Sequence, residues 1–538
     1  MRKSFLLLAS ALYSISISAQ EKPTLVVGIV VDQMRMDYIY RYWEKFSENG
    51  FKRMIRDGFL CKNAHINYAG TYTAPGHASI YSGSTPMTHG IIGNDWFDKK
   101  ENQMVYCVYD STQTSVGTKA DAGKMSPHRM LVPTIGDVIR TNSVFKGKSI
   151  GISLKDRGAI LPAGFSANGA YWMDYTSGDM VTSSYYMEKL PVWVSNFNKQ
   201  KWPDKLAKNG WSTLLAIEKY VESSEDNSPY ERLMDTKETP TFPYDLPAII
   251  KASSYYSFGI SPFGNTLLGK FAEQAIINED LGGDENMDLL AISFSSTDMA
   301  GHMFGPQSIE IQDTYLRLDL ELSSLLKMLD DRVGSGNYTL FLTADHAAPS
   351  VPQLLIDQGI PSGTVDRKDL RAYMEKALDT SFGDADWIRS YYNQELFFNY
   401  KTFDAQGKSI EDGYSVIRKA LDDYDGIVSV YSKEDLQHPL PHNKFTQLTR
   451  NGWNQMRSGD MAVQYSPGLI EYYNKGTDHE SSYNYDTHIP LILMGKGIKN
   501  GVSSDPVDVS QIVPTVCMAI SVALPDASEH RVIKKALH

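Results

Sequence analysis

Five short apolar runs constrain what this chain can fold into. Residues 24–31, 149–154, 289–293, 339–343 and 489–494 carry almost no polar alternation. A strand with one wet face alternates. A run without alternation suits a strand buried on both faces, as in a parallel sheet covered by helices. Helical patterns lie between the runs, for instance Ile309–Leu329, where Tyr315, Leu316, Leu318, Leu320 and Leu322 punctuate charged positions. Strands alternating with helices predict an α/β fold, with a central, mostly parallel sheet flanked by helices and joined by right-handed crossovers. Two stretches break the rhythm, near 165–285 and 350–480. Both read as insertions on one sheet, since core strands flank each, so residues 20–538 form one domain.

The chain has 538 residues, 42% hydrophobic and 22% charged, ordinary values that exclude collagen-like, coiled-coil and disordered chains. Its net charge of −12 and the lack of a long basic run argue against a nucleic-acid partner. An anionic ligand must be drawn in by local charge, because the global field opposes it. Residues 1–19 read as an export signal: Arg2 and Lys3 precede an apolar stretch from Phe5 to Ile17, and Ala19 precedes the expected cut. That stretch is shorter than the ~20 apolar residues of a membrane span, and no later segment is apolar enough to be one. The expected location is periplasmic or extracellular, and the expected state a monomer. Cys61, Cys107 and Cys517 share no metal-cluster spacing, so buried or free thiols are expected, a Cys61–Cys107 bridge being left open.

Polar residues gather at the ends of the apolar runs, where open α/β sheets place ligand sites. Asp32 follows the first run, Ser295-Ser-Thr-Asp-Met-Ala-Gly-His302 the third and Asp345-His346 the fourth; Tyr485-Asp-Thr-His488 precedes the fifth. Singly, Asp32 would be a helix cap, and His302 or His488 an ordinary packed or surface residue. Together Asp32, Asp298, His302, Asp345, His346 and His488 mark a metal site. Carboxylate oxygen with imidazole nitrogen suits zinc. Asp298 and His302, four apart, project to one side of a helical turn. Such a set is too large for one tetrahedral ion and about right for two. His77, His89 and His479 lie near the motifs and are given supporting or packing roles. His128, His438, His442, His530 and His538 read as surface residues.

A nucleophile comes from Gly70-Thr-Tyr-Thr-Ala-Pro-Gly-His-Ala-Ser-Ile80, where Thr73 precedes a proline suited to the first turn of a helix. A hydroxyl there faces exposed N–H groups, a cradle for a phosphoryl group. Thr71 and Ser79 are weaker candidates.

These motifs, with Gly93-Asn-Asp-Trp96, Ser153-Leu-Lys-Asp-Arg-Gly-Ala-Ile-Leu-Pro162, the Gly-His-x-Phe-Gly-Pro306 continuation and Asp-x-His-Ile-Pro490, resemble the alkaline phosphatase superfamily. More narrowly they resemble its PafA-type, phosphate-irrepressible members, which use a threonine nucleophile. The likeness runs from about Leu25 to the C-terminal region. It implies a secreted di-zinc hydrolase of phosphate monoesters working through a phosphothreonine on Thr73. It further implies one zinc on Asp298, His302 and His488, and a second on Asp32, Asp345, His346 and the Thr73 oxygen. Asn94, Lys155 and Arg157 would contact the free phosphate oxygens. If residues 155–157 are extended, Lys155 and Arg157 share a face, and two cations there favour a monoester dianion over a diester. The rival is a nucleotide pyrophosphatase or phosphodiesterase with the same metals. A sulfatase lacks support, since no Cys/Ser-x-Pro-x-Arg motif is present, and a non-catalytic binding protein would require loss of a ligand or of Thr73.

Overall fold

The first apolar run becomes β1 (Leu25–Val31), every residue of it buried. It lies inside an eleven-stranded sheet. The structure is a computed structural model that describes residues 22–438, 443–471 and 474–538. The expected export signal and His442 lie outside the described residues. The other strands are β2 (Phe59–His65), β3 (Ser115–Val116), β4 (Ser149–Ser153), β5 (Gly169–Met173), β6 (Met180–Ser183), β7 (Asp288–Phe294), β8 (Tyr338–Thr343), β9 (His488–Gly495), β10 (Gly501–Ser503) and β11 (Val507–Asp508). Their order is β10-β2-β9-β8-β1-β7-β4-β5-β6-β3, with β11 also on β2.

The central pairings, β8 with β1, β1 with β7, β7 with β4 and β4 with β5, are all parallel. β1, β4, β7 and β8 are buried along their whole length, which is why their sequences do not alternate. Register then decides where the chain leaves the sheet. Val30 lies opposite both Ser293 and Thr343, and Ser293 lies opposite Ser153, so these four strands end at one level. β9 runs antiparallel to β8 and to β2. Its first residue therefore lies at the edge where the parallel strands finish.

The helix over Ile309–Leu329 forms as the spacing predicts, started by Ser308, whose side chain accepts the Ile311 N–H. Tyr315, Leu318, Leu322 and Leu325 face the core, while Leu320 points outward. The stretch near 165–285 is not wholly an insertion, since β5 and β6 inside it extend the main sheet. The stretch near 350–480 builds a second, antiparallel sheet from Ile388–Tyr392, Glu395–Phe398, Met461–Tyr465 and Ile427–Ser432. That sheet has its own apolar cluster around Trp387, Phe398 and Phe403. Cys61, Cys107 and Cys517 are buried and unbridged.

Helix α2 (Asp156–Ala163) lies hard against β4. A Cβ on Gly151 would stand 2.0 Å from the Ala159 carbonyl oxygen, a backbone atom that cannot rotate aside. Gly151→Ala is expected to cost about 1–3 kcal/mol by overpacking, lowering the urea midpoint. An unchanged midpoint would mean that α2 can slide off the strand.

A candidate binuclear metal centre

The site is assembled where β1, β4, β7 and β8 end together. After β1 the chain turns sharply: Asp32 is fully buried, and Gln33 takes a left-handed backbone conformation, φ 65°. That turn aims Gln33 at two other carboxylates. Its backbone N–H donates to Asp345 Oδ1 at 3.2 Å and its side-chain amide to Asp298 Oδ1 at 2.9 Å. Asp298 sits in the first turn of helix α3 (Ser296–Phe304), with His302 one turn later on the same side, Nε2 3.1 Å from Asp298 Oδ1. Asp345 and His346 follow β8 in an irregular, fully buried segment.

Thr73 is the first residue of helix α1 (Thr73–Ser82). No side chain of its own caps this helix; instead the Asn94 side-chain oxygen accepts the Ala74 N–H at 2.9 Å. The helix approaches Asp345 closely enough that a Cβ on Gly76 would meet the Asp345 carbonyl oxygen at 2.5 Å. His77 ties the two segments, its Nδ1 lying 2.8 Å from the Thr73 carbonyl oxygen and 3.3 Å from Asp345 Oδ2. Its Nε2 meets Ser293 Oγ at 2.8 Å, a supporting role as expected. Of the weaker nucleophile candidates, Thr71 donates its hydroxyl to the Ser481 carbonyl, and Ser79 is bonded to His89.

Imidazole tautomers reveal what the pocket is shaped for. His302 Nδ1 lies 2.8 Å from the Thr477 carbonyl oxygen, His346 Nδ1 3.0 Å from that of Ala347, and His479 Nδ1 2.5 Å from that of Thr71. A carbonyl only accepts, so each Nδ1 carries a proton, and the neutral rings of His346 and His479 turn an Nε2 lone pair inward. Burial holds His346 below, and His479 well below, the usual imidazole range, which keeps both neutral. The His346 Nε2 lone pair faces Asp32 Oδ1 at 3.5 Å and Asp345 Oδ2 at 3.6 Å. All three atoms are buried without a hydrogen-bond partner among the described residues. Lone pairs facing one another in a dry interior repel unless a cation lies among them. Donors about 2.0–2.1 Å from a tetrahedral zinc lie about 3.3 Å apart, close to the spacing seen. Asp298, His302 and His479 form an adjoining group, with the ligand atoms within 4.8 Å of one another.

The charges tell the same story. Burial, then Asp298 and Asp345, push the Asp32 carboxyl well above its usual range. Burial would also raise Asp298, but His302 and Lys155 outweigh it and hold that carboxyl well below. Burial would lower His302, yet Asp298 beside it lifts the imidazole to about 9. Lys155 Nζ reaches both Asp32 Oδ2, at 2.6 Å, and Asp298 Oδ2, at 2.5 Å. One ammonium against three carboxylates leaves the cluster short of positive charge. The extended 155–157 segment expected from sequence is not found. Lys155 is extended, but α2 begins at Asp156 and places Arg157 in its first turn. There Arg157 donates to Tyr106 Oη at 3.1 Å, and its Nε has no partner among the described residues.

His488 does not join the cluster. It opens β9 in register with His65 of β2, stacks on that ring at 4.8 Å, and its Nε2 meets the Lys62 carbonyl oxygen at 2.9 Å. The antiparallel course of β9 brings its first residue to the right edge, but pairing with β2 commits the side chain there. The third imidazole is His479, whose ring stacks on His346 at 3.5 Å with Nε2 3.7 Å from Asp298 Oδ1. A signal for it was present: Asp-His occurs both at 345–346 and at 478–479. Only the first pair follows an apolar run. We expect His479→Ala to lower bound divalent metal from two ions per chain to one after dialysis, and His488→Ala to keep two, as measured by elemental analysis. The reverse pattern would return His488 to the centre.

A profile of the type I phosphodiesterase / nucleotide pyrophosphatase family matches residues 26–488. The alkaline phosphatase PafA of Elizabethkingia meningoseptica is 40% identical over 523 residues, covering 97% of this chain and 95% of that one. A Myroides odoratus protein named calcium-transporting ATPase is 42% identical over 521 residues, covering 96% and 95%. Among the described residues, no helix is long and apolar enough to cross a membrane. The crystal structure of wild-type PafA superposes with a TM-score of 0.93 at 40% identity, covering 96% of this chain and 99% of that one. The chain belongs to the alkaline phosphatase superfamily, among its PafA-type members.

Proposed function

We propose that the protein is an exported di-zinc phosphatase that hydrolyses phosphate monoesters through a phosphothreonine on Thr73. The observation that carries this reading is the convergence of three inward-facing imidazoles and three carboxylates beside the start of α1. Zinc held by Asp298, His302 and His479, and by Asp32, Asp345 and His346, would supply Lewis acidity to the attacking and leaving oxygens of an in-line displacement.

The chain's own groups do the rest. Thr73 Oγ1 attacks phosphorus, the ester P–O bond breaks and the alcohol departs; water then cleaves the phosphothreonine to release phosphate. Asn94 fixes the start of α1 through the Ala74 N–H and so sets the position of Thr73. Lys155, at the N-cap of α2, and Arg157, in its first turn, would direct two cations at the free phosphate oxygens. Arg157 suits this task because its guanidinium is bonded to a phenol rather than to a carboxylate side chain.

The family profile is named for phosphodiesterases as well. The two cations separate the readings, because a monoester dianion carries more charge on its free oxygens than a diester. Thr73→Ala is expected to lower kcat/KM on an aryl phosphate by ~10³-fold or more. Lys155→Ala combined with Arg157→Ala is expected to lose about 100-fold more on that monoester than on a bis-aryl phosphate, the scale of a charge-stabilising contact at phosphorus. Equal losses on the two substrates, at unchanged zinc content, would favour a diesterase.

A further inference from the structure

One cavity beside the metal centre is built for something the chemistry above does not use. It encloses about 60 Å³ and is lined by Tyr72, Gln464, Glu471, His479, Glu480 and Asp486. His479 gives it a wall in common with the Asp298–His302–His479 group. The second sheet supplies another wall through the turn that carries Asn393, whose side-chain amide donates to the Asp95 carbonyl at 2.7 Å, next to Asn94.

Polar groups in the lining lack partners. Tyr72 Oη, Gln464 Oε1 and Asp486 Oδ1 are buried without a hydrogen bond among the described residues, on side chains 5%, 7% and 1% exposed. The other oxygen of Asp486 is fully engaged, accepting the Glu480 and Ser481 backbone N–H groups and the Ser481 hydroxyl. That clamp holds Glu480 at φ 148°, a backbone conformation that favours glycine. Strain of this kind persists where the surroundings fix it, and here it fixes a carboxylate in the cavity wall. Glu471 adds a further carboxylate, with Arg367 3.8 Å away.

We propose that this cavity binds the alcohol portion of the substrate ester and selects a short aliphatic chain ending in an ammonium. The proposal rests on the phosphomonoesterase reading of the metal centre. Unpaired oxygens and carboxylates call for donors and positive charge, and an ammonium carries three donors and no acceptor. The positive charge of bound zinc would be met by Asp32, Asp298, Asp345 and the phosphate itself, which leaves Glu480 for the ligand, with Glu471 shared with Arg367 and the Tyr465 hydroxyl. Size sets the other limit. A water-sized group needs ~10–15 Å³ of such space, so an aminoethyl chain fits and a nucleoside does not.

The test compares kcat/KM of the zinc-loaded enzyme on 2-aminoethyl phosphate, ethyl phosphate, glycerol phosphate and phosphoglycolate, each taken as a ratio to ethyl phosphate. The aminoethyl ester should exceed ethyl phosphate by about tenfold, the worth of one charge-assisted hydrogen bond, and phosphoglycolate should fall below it. In Glu480→Gln and Glu471→Gln the aminoethyl ratio should drop to within about twofold of unity. Ratios within one variant cancel losses of folded or loaded enzyme. An aminoethyl ratio near one in the unaltered protein would overturn the proposal, as would a stronger preference for glycerol phosphate or a ratio that survives both substitutions. Failure to hydrolyse any of the four monoesters at full zinc content would instead overturn the phosphomonoesterase reading itself, and this proposal with it.

Discussion

Three carboxylates held together at one edge of a buried sheet cannot all be ionised in the dry interior unless cations lie among them. Register enforces this crowding, because the central parallel strands end level and release Asp32, Asp298 and Asp345 into the same space. Much of the surrounding structure answers that one electrostatic demand. Lys155 spans two of the carboxylates, and Gln33 bends into a left-handed conformation to donate to two. The His346 and His479 rings turn lone pairs, not protons, toward the remaining oxygens. An arrangement in which such lone pairs converge yet stay unbonded fits a receptacle for metal ions.

What could be read from the sequence follows from the same fact. Strands buried on both faces cannot alternate, so the runs announced both the sheet and the level at which it ends. Asp32, Asp298, His302, Asp345 and His346 were legible because each follows an apolar run directly or after one helical turn. His479 was not, since its position depends on a loop folding back across the sheet edge. That fold-back is fixed by Asp486 gripping the Glu480 and Ser481 N–H groups, an interaction with no periodic signature. His488 misled because it directly adjoins a run, but that run lies antiparallel and the strand pairing on its far side occupies the side chain. The same limit applies at 155–157. A strand end and a helix start look alike over three residues, and only the helix beginning at Asp156 decides which way Arg157 points.

The insertions divide along similar lines. The stretch near 165–285 gave its first strands to the main sheet, because β5 and β6 are buried as fully as the central strands, although neither stood out as an apolar run. The stretch near 350–480 kept its own core, apart from the candidate ligands carried by the strand ends, although its last residues bring in His479. Its turn at Asn393 nevertheless touches the loop of Asn94. A rigid sheet thus fixes the reactive groups, while a separately packed sheet supplies part of the wall around them.

The hydrogen bonds of the imidazoles also couple parts of the centre that the sequence keeps far apart. His479 takes its tautomer from the Thr71 carbonyl, two residues before Thr73. His77 bonds the Thr73 carbonyl and lies beside Asp345, and Gly76 lets α1 settle against the Asp345 backbone. The segment carrying Thr73 therefore orients a candidate ligand of one group and is itself positioned by a candidate ligand of the other. A shift of α1 would disturb both groups of ligands at once. Placement of the threonine relative to both groups of candidate ligands is then a property of one bonded unit, which accounts for a chain that buries so many polar contacts around a single short helix.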